Sequence, residues 1–521
     1  MPSLPGLVAL AFGLWRLTTP GMWRDEAASY SIAQRSLAQL WKMTAQVDAV
    51  HGVYYLLIHL DFAVFGPSVL ALRLPSVLAG AATAALLAAV GARLANSRVG
   101  LFAGLFWAVL PQVSRYLQEG RSTSLVSLCV VAAAYFLIRQ KWVAFGVAAA
   151  LAGALNLLSV LCLVAFAVAL VVWRTQRAVD NRVLRRAGAV MVVAVLVGAL
   201  PVALRSHGEA SVLSWIPRPN SHTLMGLARA MTGTRRLIVP VGLLSLLGCV
   251  YAFLRREERQ LAALALPLTV LPPALLITYS LIGPPTFVLR YVLYSLIGAA
   301  WLFALGLDAL LSLAARLLGL LAGRLGGAVN GPPGLVAGAL AIAIVSTLSW
   351  HNQTQIRTVD GHGDPLLRMS RVIRDNSRPG DGVLFFLADR RYAELAYPAD
   401  FRNTRDLMLA TTPAQAGDLY GEEYPLPQLA ARLKGYKRVW VLWGRLKWVA
   451  ERTDGFSQIR SDGFRLNATW VIEPSEQVLL YTQDPKAAKA GKHPKGSKNG
   501  KGAKDGKHAG STGRAKSAEK H

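Results

Sequence analysis

Eleven apolar stretches within the first 350 residues of this 521-residue chain constrain its fold more than any other feature. A helix that crosses a bilayer needs about 20 predominantly apolar residues. Only 16% of the residues are charged, against about 25% in a typical soluble domain. The chain is therefore predicted to be an integral membrane protein, with apolar helices over 3–19, 70–92, 99–114, 122–138, 142–156, 158–173, 187–204, 237–254, 260–282, 287–311 and 334–350.

Lysine and arginine residues in the short linkers predict the orientation, because these residues accumulate on the cytoplasmic side of a membrane. The most basic short linker, 174–186, carries five arginines. It is predicted to be cytoplasmic, together with the linkers near 93–98, 139–141 and 255–259. The alternation of spans then places the following segments outside a plasma membrane: 20–69, 114–121, 205–236, 283–286 and everything after 351.

The first outer segment contains the apolar stretch Tyr54–Phe65, which is too short for a span and includes His59 and Asp61. Such a pattern is typical of an amphipathic helix that lies in the membrane interface. We predict two interfacial helices here, at about 26–43 and 53–65.

Residues 351–485 differ in character and predict a small extracytoplasmic α/β domain beside the membrane domain 1–350. Apolar residues recur at helical spacing over 364–376. Val383–Leu387, Val439–Trp443 and Gln477–Tyr481 are typical of strands.

The tail 486–521 carries ten lysines and one arginine against two acidic residues, a net charge of +9. Its low-complexity mixture of Lys with Gly, Ala and Ser cannot bury a core and predicts disorder. It is expected either to bind anionic wall polymer or lipid head groups, or to act as a solvated spacer. The remaining positive charge lies largely in short loops, so no nucleic-acid partner is predicted.

The adjacent carboxylates Asp25 and Glu26 follow the first apolar run directly, within Trp23-Arg24-Asp25-Glu26. Ionised side chains close to a membrane are costly and usually functional. A carboxylate at the outer rim of a helical bundle can act as a general base on a hydroxyl held at the lipid–water boundary. The alternative is a solvated pair near a helix start.

Three arginines and one more carboxylate complete the charged groups predicted on the outer side. Glu119 and Arg121 share the short loop 114–121, Arg290 lies near the outer end of a span, and Arg73 begins another. Arginine binds phosphate through two parallel hydrogen bonds. A loop salt bridge is the alternative for Glu119 with Arg121, and extension of the side chain to the interface is the alternative for Arg290.

Three further residues are candidates for substrate contact: His51, Tyr54 and Tyr291. For His51, packing at the interface is an equally good interpretation. No His, Cys or Asp cluster has recognisable metal-ligand spacing.

Taken together, these motifs resemble the GT-C-type membrane glycosyltransferases. The resemblance is to the bacterial branch of the dolichyl-phosphate-mannose protein mannosyltransferases (glycosyltransferase family 39), which includes the aminoarabinose lipid A transferases. It covers about residues 1–350 and rests on WRDEA, HGVYYLLIHLDFAVFG, ALRLPSVLAG, PQVSRYLQEGRSTSL and RYVLY, starting at 23, 51, 71, 111 and 290. The chain departs from the family pattern at Gly52 and Val53, where prolines are usual, and at Gly120, where alanine is usual.

The resemblance implies a polyprenyl-phosphate sugar donor and inverting transfer to an extracytoplasmic protein or glycan, with mannose as the expected sugar. Asp25 would be the base or would orient the acceptor, supported by Glu26 and Glu119, while Arg121 and Arg290 would bind the donor phosphate. Some relatives use a divalent cation such as Mg²⁺ or Mn²⁺, and this sequence does not decide.

Other functions are compatible with parts of the pattern. A polyprenyl-phosphate arabinofuranosyltransferase of cell-wall polysaccharide has similar topology. A transporter of lipid-linked sugars would be expected to show inverted repeats and broken helices at the membrane midplane, and the sequence shows no repeat. A wall-anchoring protein would need neither the Asp25/Glu26 pair nor the Glu119/Arg121 pair.

Overall fold

The structure is a computed structural model that describes residues 2–206, 215–255, 258–322, 332–386, 388–444, 450–473 and 476–484. The basic tail 486–521 lies outside the described residues, and so do His207 and Glu209 of the loop 205–236.

All eleven predicted apolar runs are largely helical. The helices of this half of the chain are α1 (Ser3–Leu14), α2 (Arg24–Ala33), α3 (Leu37–Gln46), α4 (Gly52–Phe65), α5 (Val69–Leu94), α6 (Ser97–Val109), α7 (Pro111–Leu117), α8 (Thr123–Ile138), α9 (Trp142–Leu155), α10 (Leu161–Thr175), α11 (Asn181–Ala194), α12 (Leu200–Arg205), α13 (Ser221–Thr232), α14 (Ile238–Leu254), α15 (Arg259–Ile282), α16 (Ser295–Ala322), α17 (Pro332–Leu348) and α18 (Trp350–Gln355). A π-helical segment, Val195–Ala199, joins α11 to α12.

Six helices in the described part of the chain are long and apolar enough to cross a membrane: Val69–Leu94, Leu157–Thr175, Asn181–Arg205, Arg235–Leu254, Arg259–Ile282 and Ser295–Leu317. The other five predicted spans fall on shorter apolar helices, of which α1 has 12 residues and α8 has 16. The run predicted at 287–311 is displaced, because the helix starts only at Ser295. Residues 283–294, which precede it, are mostly irregular and carry Arg290.

Close helix packing in the membrane half depends on small residues. A Cβ atom at Gly306 of α16 would collide with the backbone of Leu244 in α14, and one at Gly248 of α14 would collide with Gly306. These glycines let the two helices approach backbone to backbone, as is common between membrane helices.

The first segment that was predicted to lie outside, 20–69, contains three short helices, α2, α3 and α4. The prediction of one continuous helix over 26–43 is wrong, because α2 ends at Ala33 and a separate helix, α3, begins at Leu37. Ser36 caps α3 by accepting a hydrogen bond from the Gln39 amide, while the Gln39 side chain bonds back to the Ser36 amide. The second predicted helix, 53–65, corresponds to α4.

The α/β half follows α18. It contains the helices α19 (Leu366–Asn376), α20 (Tyr392–Ala396), α21 (Pro413–Ala416), α22 (Leu429–Leu433) and α23 (Ala450–Ser461), and the strands β1 (Asp381–Phe386), β2 (Thr404–Asp406), β3 (Leu409–Thr411), β4 (Glu422–Glu423), β5 (Arg438–Gly444), β6 (Phe464–Glu473) and β7 (Glu476–Gln483).

Five strands form a mixed sheet in the order β2-β1-β5-β7-β6. β1 pairs in parallel with β2 and β5, whereas β7 pairs antiparallel with β5 and β6. The predicted helix and all three predicted strands are confirmed. β6 was not predicted, because most of its residues are exposed or half-buried and lack the apolar run of a buried strand.

The α/β half is hydrogen-bonded to α3 and to the turn before α2. The Met22 amide donates to the hydroxyl of Tyr397 at 2.7 Å, and Lys42 Nζ donates to the Gln415 carbonyl at 2.6 Å. Arg357, which is fully buried, donates to the Phe12 carbonyl at the end of α1. These contacts hold the α/β half against α3 and the turn before α2, and they hold Arg357 against α1.

Candidate active site

Asp25 and Glu26 lie in the first turn of α2, where the helix N-terminus favours negative charge. Neighbouring residues of an α-helix point about 100° apart. The two carboxylates therefore face different surroundings. The Asp25 side chain is 25% exposed, whereas that of Glu26 is fully buried.

The Asp25 carboxylate lies between two guanidinium groups. Its Oδ2 atom is 3.2 Å from Nη2 of Arg290 and 3.8 Å from Nη2 of Arg121. Arg121 also donates to the Asp25 carbonyl at 3.3 Å and to the Ser29 hydroxyl at 3.2 Å. The structure thus brings together three residues that the sequence separates by almost 270 positions.

Arg290 is surrounded by aromatic rings. Its guanidinium carbon lies 5.3 Å from the ring centre of Trp23, 5.5 Å from that of Tyr291 and 5.8 Å from that of Trp215. Within the described residues, its side chain makes no hydrogen bond beyond the ion pair with Asp25. Because arginine carries five N–H donors, most of them remain available to an anionic ligand.

His51 links Arg121 to an aspartate that was not predicted. Arg121 Nη2 lies 2.7 Å from His51 Nε2, and His51 Nδ1 lies 2.6 Å from Asp48 Oδ1. A guanidinium has no acceptor, so Nε2 must accept and the ring proton must lie on Nδ1, donating to Asp48. Tyr55 donates to the other oxygen of Asp48. The expected substrate contact of His51 is therefore reinterpreted as orientation of Arg121.

Asp48 occupies a left-handed backbone conformation, with φ at +60°. Such a conformation is uncommon for residues other than glycine, although aspartate tolerates it better than most. The hydrogen bond from His51 and the charge of Arg121, opposing the effect of burial, lower the pKa of Asp48. It therefore stays ionised and holds the His51 proton in place.

Glu26 forms a buried, two-pronged ion pair with Arg73. Arg73 Nε and Nη2 each donate to one Glu26 oxygen at 2.8 Å, and the Gly120 amide donates to Oε1 at 2.7 Å. His362 Nδ1 lies 3.3 Å from Oε2. Burial alone would raise the pKa of Glu26, but Arg73 lowers it well below its usual range. Burial lowers the pKa of His362 to about 4, so this ring is neutral at pH 7.

The expectation that Arg73 binds the donor phosphate does not fit this geometry. Arg73 is fully buried, and its remaining donors bond the carbonyls of Leu17, Pro20 and Gly21. Every part of its guanidinium is occupied by the protein. Arg73 and Glu26 together fix the chain turn before α2 and the loop before α8, so Glu26 positions the site and does not face a substrate.

Glu119 is also buried, with 1% of its side chain exposed, and neither of its carboxylate oxygens has a hydrogen bond among the described residues. Arg115 Nη2 lies 3.0 Å from Oε1, but Arg115 donates to the carbonyls of Gly361 and His362. Burial raises the pKa of Glu119 to about 7. Glu119 can therefore hold a proton near the site, although its burial does not fit direct contact with a substrate.

The two remaining predicted residues differ in accessibility. The ring of Tyr291 stands beside Arg290 and is half-buried, which fits substrate contact. Tyr54 is fully buried and its hydroxyl has no hydrogen-bond partner in the described part of the chain. The expected substrate contact of Tyr54 is not compatible with that burial.

Sequence reasoning missed Asp48, His362 and Asp364. Asp364 accepts hydrogen bonds from the amide and Nε of Arg24, directly before Asp25. Asp48 stands three residues before His51, and this spacing could have suggested that the two side chains meet. Nothing local marks His362 or Asp364, which reach the site from more than 330 residues away.

A divalent cation has few ligands here. In the ranges that the structure describes, no three His, Cys, Asp or Glu side chains are gathered as a metal site. Glu26 is occupied by Arg73, and two guanidinium groups flank Asp25. The carboxylates near Asp25 thus do not fit a Mg²⁺ or Mn²⁺ site, a possibility that the sequence left open.

Residues 49–203 match the family model described as dolichyl-phosphate-mannose-protein mannosyltransferase. Among solved structures, ArnT from Cupriavidus metallidurans bound to undecaprenyl phosphate has a TM-score of 0.57 at 14% identity, over 92% of this chain and 97% of that one. The chain therefore has the GT-C fold of ArnT. The resemblance and the fold class predicted from the sequence are thereby confirmed.

Two other solved structures are similar to this chain. The apo form of the same ArnT has a TM-score of 0.55 at 14% identity and the same coverage. AglB from Archaeoglobus fulgidus, an archaeal oligosaccharyltransferase, has a TM-score of 0.45 at 12% identity, over 82% of this chain and 69% of that one. No curated protein matches the chain.

Proposed function

We propose that this GT-C protein is an inverting glycosyltransferase that moves a sugar, expected to be mannose, from a polyprenyl-phosphate donor to a protein or glycan. Catalysis takes place on the outer side of the plasma membrane, where the α/β half also lies. The donor class is supported by ArnT, whose structure contains undecaprenyl phosphate and which shares this fold. The outward orientation is supported by the five arginines of the linker 174–186.

The position of Asp25 carries the proposal. Of the three predicted catalytic carboxylates, it alone is appreciably exposed, and it lies against Arg290 and Arg121. A donor phosphate that binds Arg290 competes with Asp25 for the guanidinium. The carboxylate is then free to turn toward the acceptor hydroxyl and accept its proton.

The reaction follows from this arrangement. Asp25 accepts the proton of the acceptor hydroxyl while the hydroxyl oxygen bonds to the anomeric carbon of the sugar. The bond from that carbon to the phosphate oxygen breaks on the opposite face, and its electron pair leaves with the polyprenyl phosphate. Attack from the opposite face inverts the configuration. Negative charge grows on the leaving phosphate, where Arg290 and Arg121 stabilise it.

Radiolabelled polyprenyl-phosphate mannose, supplied to membranes that contain the full chain, tests the proposal. We expect label in protein or glycan, and a loss of about 10²–10⁴-fold in the Asp25→Asn variant, the range typical of general bases. Asp375→Asn is the matched control, since that side chain is 58% exposed on α19. Equal transfer by wild type and Asp25→Asn would disprove the role of Asp25.

The donor sugar is tested in the same assay. If mannose is not transferred while insertion and donor quality are verified, polyprenyl-phosphate arabinofuranose is the next donor. Failure of every lipid-linked donor would contradict the proposed reaction and favour transport of lipid-linked sugars. Transfer in the presence of EDTA should equal transfer without it, because the carboxylates at the site do not fit a cation.

A further inference from the structure

Arg35 stands out among the charged residues that the proposed mechanism does not use. It follows the C-terminus of α2 and is 5% exposed. Among the described residues, its guanidinium makes no hydrogen bond or ion pair, and its Nη1 atom is buried without a partner. Its backbone amide, by contrast, donates to the Ile32 carbonyl as an ordinary helix end.

An unpaired charge at such depth is unfavourable. Removal of a cation from water is costly unless an anion or a set of acceptors replaces the water. Buried polar groups without partners are rare in native proteins. A guanidinium that is held in this state without protein acceptors is suited to bind an anion.

The surroundings of Arg35 come from both halves of the chain. It is within electrostatic range of Asp418, Tyr55 and Tyr392, and burial lowers its pKa. Asp418 is half-buried and accepts a hydrogen bond from the Gly421 amide at 2.7 Å. The Asp418 carboxylate therefore stabilises the turn that contains Gly421. It forms no ion pair with Arg35 among the described residues. The site lies where α2 and α4 meet the α/β half.

The same space is connected to Asp25. Tyr55 bonds to Asp48, which reaches Arg121 and Asp25 through His51. Tyr392, on α20, is within electrostatic range of both Tyr55 and Asp25. Ten positions along the chain separate Asp25 from Arg35, which corresponds to about 15 Å along a helix.

We propose that Arg35 binds an anionic group, a phosphate or carboxylate, of the acceptor substrate, in a subsite between α2 and the α/β half. This inference rests on the proposed function, because it assigns the group to the molecule whose hydroxyl lies at Asp25. The donor phosphate is assigned to Arg290 and Arg121, which flank Asp25, ten positions before Arg35. The acceptor therefore carries a phosphate or carboxylate group and is not a neutral glycan.

Binding of inorganic phosphate by the full chain in nanodiscs is the first test, followed through the thermal midpoint. Because phosphate can also bind the donor site, it is titrated in an Arg290→Gln background. We expect the response to persist in that background and to need at least about tenfold more phosphate after Arg35→Gln. Arg35→Lys should keep part of it, since lysine retains the charge but not the planar fork. Arg371→Gln, an exposed arginine of α19, is the control.

The stability of the ligand-free variants separates binding from structure. If Arg35 is unpaired, Arg35→Gln should leave the midpoint unchanged or raise it in the absence of phosphate. A lower midpoint together with an unaltered phosphate response would overturn the inference. So would the absence of any phosphate response in the Arg290→Gln background.

Sugar transfer provides the second readout. Arg35→Gln should raise the acceptor concentration for half-maximal transfer at least about tenfold and leave the donor KM unchanged. A raised donor KM would instead assign Arg35 to the lipid phosphate and overturn the acceptor subsite. If wild type transfers no sugar at all, the proposed function fails, while the phosphate titration still decides whether Arg35 binds an anion.

Discussion

The two residues of the acidic pair are expected to differ in role, with Glu26 contributing to stability and Asp25 to catalysis. The Glu26→Gln variant tests this difference. Glu26 accepts two hydrogen bonds from Arg73 and one from the Gly120 amide, all between 2.7 and 2.8 Å and all buried. Glutamine has nearly the same shape but removes the negative charge. Its amide nitrogen would also turn a donor toward the donors of Arg73.

The expected loss of folding free energy follows from the contacts that Arg73 keeps in the Glu26→Gln variant. Arg73 stays buried and bonded to three backbone carbonyls, but it loses its only carboxylate within 4 Å in the described residues. Deletion of one partner of a buried pair typically costs about 3–5 kcal/mol. We expect about 4 kcal/mol for Glu26→Gln, and a fall of the thermal midpoint by several degrees.

The assay compares Glu26→Gln with Asp25→Asn in purified full chain, by thermal unfolding and by sugar transfer per folded molecule. Glu26→Gln should unfold earlier yet keep a kcat within about tenfold of wild type well below its midpoint, because its side chain does not face the substrate. Asp25→Asn should show the reverse. A double variant, Glu26→Leu with Arg73→Met, should cost less than the sum of the single variants, by about 1–3 kcal/mol.

An unchanged midpoint for Glu26→Gln, with transfer reduced as strongly as in Asp25→Asn, would refute this reasoning. Glu26 would then act on the substrate itself, and the burial of its carboxylate in the ligand-free protein would not describe the working state.

Two further variants test the neighbouring charges. Burial raises the pKa of Glu119 to about 7 from 4.5. Between pH 4.5 and about 7, the folded protein therefore holds a proton on Glu119 that the unfolded chain has lost. The contribution of Glu119 to the free energy of unfolding should fall by about 3 kcal/mol as the pH rises through this range. Glu119→Gln should remove the part of the fall that comes from Glu119, and an identical pH profile in both proteins would contradict it. Arg290→Lys should raise the donor KM about tenfold while leaving the thermal midpoint unchanged, since lysine lacks the planar fork that stacks and binds phosphate; an unchanged KM would remove Arg290 from the donor site.

Much of the fold could be predicted from the sequence because hydropathy is a local property. The apolar runs required only their own residues to be recognised as helices, and the same holds for β1, β5 and β7. The break between α2 and α3 was missed, although Ser36 and Gln39 form a capping box, because apolar residues continue on both sides. β6 has no comparable local signal.

The site was predictable in its residue types but not in their roles. Which of Asp25 and Glu26 is buried depends on where α2 starts, at Arg24, and on a partner 47 positions away. Arg73 and Arg290 look alike in sequence, since both are arginines close to the ends of apolar runs. Only packing shows that the first is occupied by carbonyls and the second is surrounded by aromatic rings.

The bonds of residues 353–364 have a practical consequence for engineering. Gln353 bonds the Val109 carbonyl, Arg357 bonds the end of α1, His362 contacts Glu26, and Asp364 holds Arg24. A splice at residue 350 would therefore separate the acidic pair from its supports. Chimaeras that exchange the α/β half to change the acceptor should be joined after Asp364, so that the recipient keeps its own connecting segment and the donor contributes only the sheet and its helices.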